Sequence, residues 1–96
     1  MNNYALTERA EDDLLTVFLD GIELFGLNQA RRYKDELDRC FQLMASHPQM
    51  GRPAPLIGEG VRRHEHKSHI ILYEEKAGGI LILAVVPAKS VRLLKL

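Results

Sequence analysis

The sequence predicts a single α+β domain, in which an N-terminal strand and an antiparallel helical hairpin precede a three-stranded antiparallel sheet. Residues 7–47 carry apolar side chains at helical spacing, broken once by Gly26. Residues 61–86 carry three strand-length segments separated by turn residues: an alternating one at 61–66 and two apolar ones after it. The 96 residues are 46% apolar and 27% charged, which suits one globular domain covering residues 1–96.

The N-terminal segment is predicted to form a short strand over Asn3–Leu6 and then a helix. Thr7 fits an N-cap, and Glu8 and Glu11 place negative charge in the first turn, where the helix dipole favours it. Gly26 is a natural stop. The stripe expected to face the core comprises Ala10, Leu14, Val17, Phe18, Gly21, Leu24 and Phe25.

A second helix is predicted to begin with Asn28 as its cap and to end at Ser46-His47-Pro48. Only Gly26 and Leu27 separate the two helices, so they should run antiparallel. The apolar stripe of the second helix, expected to be mostly core, comprises Ala30, Tyr33, Leu37, Cys40, Phe41, Met44 and Ala45.

Residues 48–60 hold three prolines and three glycines, which predicts a structured loop without helix or strand. Three strands should follow, over residues 61–66, 69–75 and 80–86. The last is almost wholly apolar, which is typical of a strand covered on both faces. With only two helices available, the second cover must come from the C-terminal tail or from a partner, so we expect an interaction surface there.

Composition and charge narrow the class of protein. The chain has no apolar run long enough to span a membrane, no signal-peptide pattern at Met1-Asn2-Asn3 and one cysteine, Cys40. We therefore expect a cytoplasmic protein. Residues 1–51 carry nine acids and five bases, whereas residues 52–96 carry four acids and eight bases. The two halves can thus meet partners of opposite charge.

Few residues of the sequence are candidates for a catalytic role. Cleavage of RNA at a ribose 2′-hydroxyl needs a base, a phosphate-binding cation and an acid. Arg62 or Arg63 could bind phosphate, Tyr73 or His69 could donate a proton, and Lys89 could add charge. However, residues 80–86 carry no polar side chain, so we assign no catalytic residue. Tyr73 remains open between core packing and a functional hydroxyl.

Three histidines lie close together in the sequence. His64 and His66 should share a face of one strand, and His69 could approach them across a turn. No cysteine is near, and Glu65 points to the opposite face, so we interpret them as solvent-facing side chains rather than as metal ligands. We expect no metal and no cofactor, and we interpret Cys40 as a small buried apolar residue.

An ordered set of segments resembles the ParE branch of the RelE/ParE toxin superfamily over about residues 4–86. The segments are Tyr4-Ala5-Leu6-Thr7, Ala10 and Asp13-Leu14, the helix from Gln29-Ala30 to Ala45, His47-Pro48-x-x-Gly51-Arg52, Gly60-x-Arg62 and Ser68-His69-Ile70-Ile71-Leu72-Tyr73. The end departs from the family pattern, with Ala84, Val86-Pro87 and Lys89-Ser90-Val91 where the family has an Arg, a Leu-His pair and a basic residue.

The resemblance implies the toxin of a type II toxin–antitoxin system, of the kind linked to plasmid stabilisation. Such a toxin poisons DNA gyrase by binding, is neutralised by a ParD-like antitoxin, and meets DNA only through the antitoxin or gyrase. A homodimer of the free toxin is an open alternative. So are a RelE-like mRNA endonuclease and a degenerate member that binds antitoxin without toxicity.

Two sets of contact residues follow as predictions. The basic C-terminal half should contact the target, and the apolar stripes and last strand should contact the antitoxin. The proposed target contacts are Arg62, Arg63, Tyr73, Lys89 and Arg92, and the proposed antitoxin contacts are Leu14, Phe18, Tyr33, Leu83 and Val85.

Overall fold

The computed structural model describes residues 3–93, with the side chains of residues 3–90, and confirms the α+β class. The elements are β1 (Asn3–Leu6), α1 (Glu8–Phe25), α2 (Leu27–Ser46), β2 (Arg52–Pro53), β3 (Val61–His66), β4 (His69–Lys76), β5 (Gly79–Pro87) and a C-terminal 3-10 helix (Ala88–Leu93).

The sheet is larger than the sequence predicted. Its order is β1-β5-β4-β3-β2, with β1 parallel to β5 and every other neighbouring pair antiparallel. The predicted three-stranded antiparallel sheet forms its centre. The two-residue strand β2 lies inside the segment predicted to be only loop, and Pro53 is tolerated there because β2 is an edge strand.

A single glycine, Gly26, joins the two helices of the hairpin. The Thr7 hydroxyl accepts a hydrogen bond from the Ala10 N–H at 3.1 Å, so the predicted cap of α1 is confirmed. Gly26 ends α1 and immediately precedes α2, with a φ of 87° that favours glycine. The prediction that Asn28 caps α2 is wrong, because α2 begins at Leu27 and Gly26 occupies the cap position.

Two apolar cores lie on opposite faces of the sheet. The helical face buries residues of α1 and α2 against the central strands: Ala10, Leu37, Phe41, Met44, Ala45, Ile71, Tyr73, Ile80, Ile82 and Val85. The second face buries Ala54, Val61, Ile70, Leu72, Ala84 and Val86. The loop before β3 covers part of this second face through Ala54 and Ile57. The six core residues there are at most 8% exposed in the free chain.

Four of the eight exposed large apolar side chains in the described part of the chain lie on α1. Ala10 is the one fully buried residue of this helix. Leu24 and Phe25, predicted to face the core, are 70% and 62% exposed, and Leu15 and Leu19 are exposed as well. The prediction that Leu24 and Phe25 face the core is therefore wrong. Helical periodicity locates an apolar arc, but it does not show how much of that arc the rest of the chain covers. Large exposed apolar surfaces of this kind mark interaction sites.

Candidate partner-binding site

A groove of about 1650 Å³ lies between α1 and α2 on one side and the end of β5 on the other. The turn at residues 67–69 and the start of the C-terminal 3-10 helix, at residues 88–90, form its other walls. Four of the five predicted antitoxin contacts line it: Leu14, Phe18, Tyr33 and Val85. Leu14 and Phe18 are half-buried, so each presents apolar surface to the groove.

The fifth predicted contact, Leu83, lies elsewhere. Residues two apart on a regular strand share a face, so Leu83 was expected beside Val85. The pairing of β4 with β5 is irregular between Leu72 and Tyr73: Leu72 pairs with Ala84, and Tyr73 with Ile82. This bulge inserts one residue into β5 and reverses the alternation. Leu83 consequently packs in the second-face core, away from the helices.

A polar cluster closes one end of the groove. The Tyr33 hydroxyl lies 2.7 Å from Nδ1 of His69, and Lys67 Nζ donates to Glu36 at 2.7 Å. Lys67 has a φ of 54°, unusual for a residue with a side chain, and its Nζ lies 5.6 Å from the centroid of the Tyr33 ring. These contacts fix the β3–β4 turn on α2. The prediction that the three histidines face solvent is wrong, because His64, His66 and His69 are all half-buried. His66 and His69 lie beside Tyr33.

Burial changes the acid–base properties of this cluster. It raises the pKa of Tyr33 to about 12, with Glu36 adding to the effect, so Tyr33 keeps its proton. Burial, followed by the neighbouring His66, lowers the pKa of His69. His69 therefore favours its neutral form, which suits a ring nitrogen bonded to a hydroxyl.

The lowered pKa of His69 predicts a pH dependence of stability. The unfolded chain takes up this proton near pH 6.5, whereas the folded chain takes it up only at lower pH. The free energy of unfolding should thus be constant above about pH 6.5 and fall as the pH drops below it. Urea denaturation from pH 8 to pH 5 measures the slope. His69→Gln should reduce this slope, and a full slope in that variant would contradict the assignment.

The predicted target contacts are dispersed. Arg62 and Arg63 follow one another on β3 and so point to opposite faces; Arg62 donates to the Gly51 carbonyl at 2.7 Å, and Arg63 lies 3.5 Å from the Glu65 carboxylate. Lys89 is exposed on the C-terminal 3-10 helix. Arg92 lies on the same helix, but its side chain is outside the described residues.

Tyr73 is not a surface residue. It is 0% exposed, and its hydroxyl donates to the Pro48 carbonyl at 2.7 Å while accepting from the Gly51 N–H at 2.8 Å. The hydroxyl therefore has a structural role, and the prediction of Tyr73 as a direct target contact is wrong. The Tyr73 hydroxyl is bound to Pro48 and Gly51, whereas Nδ1 of His69 is bound to the Tyr33 hydroxyl. The two candidate proton donors for RNA cleavage therefore lie in separate parts of the fold.

Among residues 3–93, no group of three potential ligands could hold a metal ion. No helix in the same part of the chain is long and apolar enough to cross a membrane.

No pattern in the sequence pointed to Lys67 and Glu36 as residues at the end of the groove. The two-residue Lys67-Ser68 connection between apolar strands predicted a tight turn, but no signal in the sequence placed that turn against α2.

Comparisons with known proteins agree with this architecture. The family model for the ParE toxin of the type II toxin–antitoxin system, parDE, matches residues 4–91. Toxin ParE1 of Caulobacter vibrioides is 34% identical over 73 residues, which cover 76% of each chain. A solved structure of the chromosomal ParDE toxin–antitoxin system from P. aeruginosa has a TM-score of 0.75 at 21% identity, covering 91% of this chain and 96% of that one.

The structure defines a small α+β domain in which a helical hairpin covers one face of a five-stranded sheet and borders an apolar groove. The match over nearly the whole chain identifies it further: the chain belongs to the ParE toxin family of type II toxin–antitoxin systems. ParE toxins are not enzymes, which confirms the prediction that this protein works without catalysis.

Proposed function

We propose that this ParE-family toxin poisons DNA gyrase by binding and is neutralised by a ParD-like antitoxin that occupies the groove. The groove is the single observation that carries the second half of the proposal. Its lining is formed by six elements of the fold and includes four side chains that the sequence had already linked to antitoxin binding. An apolar concave surface of this size suits a helix inserted along the hairpin.

The occupant is an amphipathic segment of the antitoxin, with apolar side chains that contact Leu14 and Phe18. Val85 lies beneath them in the helical-face core and is only 3% exposed. Polar side chains of that segment meet the Tyr33–His69 pair and Lys67 at the closed end of the groove. The excess apolar surface of α1 supports a tight complex, because burial of such surface contributes about 25 cal/mol per Å². A free toxin that hides the same surface in a homodimer would have to dissociate before the antitoxin binds.

The target contact uses the basic half of the molecule. Residues 52–96 carry an excess of four positive charges. Arg62, Arg63, Lys89 and Arg92 all belong to this half. A complex of gyrase with DNA presents phosphates, which attract such a surface at long range. This target also places the toxin in the cytoplasm.

Expression of the toxin without antitoxin tests the proposal in cells. We expect induction of the DNA-damage response and filamentation, while translation continues at early times, because the two candidate proton donors for RNA cleavage, Tyr73 and His69, are bound in separate parts of the fold. Time courses of a damage reporter and of amino-acid incorporation measure the two effects. Early arrest of translation with cleaved mRNA and intact DNA would instead identify a RelE-like endonuclease. Co-expressed antitoxin with no effect on toxicity would contradict the role of the groove.

A further inference from the structure

The β3–β4 turn and the C-terminal 3-10 helix are joined where they form adjacent walls of the groove. The Ala88 N–H donates to the Ser68 carbonyl at 2.8 Å. Lys67 precedes Ser68, Lys89 follows Ala88, and all four residues line the groove. Two lysines therefore lie on neighbouring segments at this end of the groove. These four residues are here called the basic corner.

Two contacts restrict the Lys67 side chain in the free protein. Its Nζ donates to the Glu36 carboxylate at 2.7 Å and lies 5.6 Å from the centroid of the Tyr33 ring. Tyr33 and Glu36 both belong to α2, so the lysine is held against a helix. A side chain that is ordered before binding loses little conformational entropy when a partner meets it.

The charge of Lys89 is not neutralised within the described part of the chain. The side chain is exposed, and no carboxylate among residues 3–90 lies within ion-pair distance of its ammonium group. Glu36 is already paired with Lys67. The basic corner thus keeps one positive charge available to a partner, and a carboxylate is the protein group that forms the strongest hydrogen bonds with an ammonium group.

The rest of the lining favours a peptide over a nucleic acid. Five basic side chains line the groove, and five acids match them in number: Glu11, Asp13, Asp20, Glu36 and Asp38. A phosphate backbone, with a negative charge at every nucleotide, gains no long-range attraction from a surface of zero net charge. Leu24 and Phe25 also line the groove and are 70% and 62% exposed, which suits apolar partners. A peptide with an apolar face and a carboxylate at one end matches both features.

We propose that the basic corner binds a carboxylate of the antitoxin, supplied by an Asp or Glu side chain at the edge of the segment that occupies the groove. This carboxylate pairs with Lys89 and lies beside Lys67. The inference rests on the proposed function, because it assumes that the antitoxin lies in the groove. It adds the charge that the segment carries and the end of the groove at which that charge lies. Lys89 is also among the proposed target contacts, so an antitoxin bound at this corner covers one of them.

Lys89→Glu tests the proposal, with Lys76→Glu as a matched control that changes the net charge equally. Lys76 is exposed at the end of β4, lies 3.2 Å from Glu74 and does not line the groove. Both variants should keep the melting temperature of the wild-type protein. In titration calorimetry with full-length antitoxin, Lys89→Glu should lose at least about tenfold in affinity, as for a close charge pair across an interface. Lys76→Glu should stay within about twofold.

Salt identifies the loss as electrostatic. The difference in affinity between the wild-type protein and Lys89→Glu should be largest at about 50 mM salt and should shrink at about 500 mM, because ions screen exposed charges. A loss in Lys89→Glu that is the same at both salt concentrations would mean that the Lys89 stem packs against the antitoxin, and it would contradict a carboxylate contact.

Antitoxin variants locate the carboxylate. Each Asp and Glu of the antitoxin segment that binds the groove is changed in turn to Lys. One of these variants should bind the wild-type toxin more weakly and bind Lys89→Glu at least about tenfold better than the unchanged antitoxin does, because opposite charges face each other again. The remaining variants should affect both toxins equally. A set in which no variant restores binding to Lys89→Glu would overturn the inference.

Failure of this inference is distinguishable from failure of the proposed function. Wild-type affinity in Lys89→Glu, with affinity lost in Phe18→Ala, would overturn the inference alone. Wild-type affinity in both variants would place the antitoxin outside the groove and overturn that part of the proposed function as well. Short duplex DNA that binds the free toxin and loses affinity in Lys89→Glu, while the antitoxin does not, would make the corner a phosphate site and contradict the inference.

Discussion

Replacement of Phe18 by alanine is expected to weaken antitoxin binding by about 30-fold to several hundred-fold, with the fold intact. Phe18 is half-buried on α1 and lines the groove, so it already presents a preformed apolar surface to a partner. Aromatic anchors at the centre of an interface contribute about 2–4 kcal/mol, and each 1.4 kcal/mol is about a tenfold change in affinity. Titration calorimetry with the purified antitoxin measures the loss directly.

Leu43→Ala is the control for Phe18→Ala, because Leu43 is a helical, half-exposed apolar residue outside the groove. The affinity of this variant should remain within about twofold of the wild-type value, as for a surface site distant from the contact. An equal loss in both variants would mean that the antitoxin covers the hairpin broadly. No loss in Phe18→Ala would place the antitoxin outside the groove.

The second large effect is on stability. Phe41→Ala should lower the free energy of unfolding by about 3–5 kcal/mol, because Phe41 is 0% exposed and its ring lies 5.3 Å from that of Tyr4. A domain of this size has about 5–15 kcal/mol in total, so much of the stability would be lost. Antitoxin at about 100 times its dissociation constant should restore about 2.7 kcal/mol.

Urea denaturation followed by circular dichroism measures the change in Phe41→Ala. Leu43→Ala is again the control, since it lies two residues away on the same helix but is exposed. Its midpoint should shift little. A Phe41→Ala protein as stable as the wild type would contradict the position of α2 on the sheet.

The main elements of the fold could be predicted from local patterns. Thr7 before a run of acids marked the start of α1, and Gly26 marked its end, because caps and breakers act through neighbouring backbone atoms. Long-range pairing left no such signal. The parallel contact of β1 with β5 joins Asn3 to Gly79, and no pattern within either segment specifies the other.

The candidate site was predictable only in part, for the same reason. Leu14, Phe18, Tyr33 and Val85 were found because helical spacing and strand alternation place apolar residues on one side. Leu83 was misplaced because the bulge beside Leu72 depends on tertiary packing. From the sequence, Tyr73 could be either a core residue or a functional hydroxyl. Its hydroxyl is bonded to Pro48 and Gly51, which are far from Tyr73 in the sequence, so no local pattern could predict the contact.

The departures from the family pattern at the end of β5 also have a structural context. Ala84 is 0% exposed in the second-face core, so a long basic side chain at this position could not reach solvent without displacing its cover. Pro87 is exposed and ends β5, immediately before the basic C-terminal 3-10 helix. Lys89 and Arg92 follow in that segment.

The most direct test of the account is a DNA-cleavage assay with purified gyrase, supercoiled DNA and ATP. Wild-type toxin should make gyrase accumulate cleaved, protein-linked DNA, and prior addition of the antitoxin should prevent it. With Phe18→Ala toxin, the antitoxin should lose that protection at concentrations that protect against the wild-type protein. Unchanged DNA products at saturating toxin, together with cleavage of mRNA on purified ribosomes, would contradict the account.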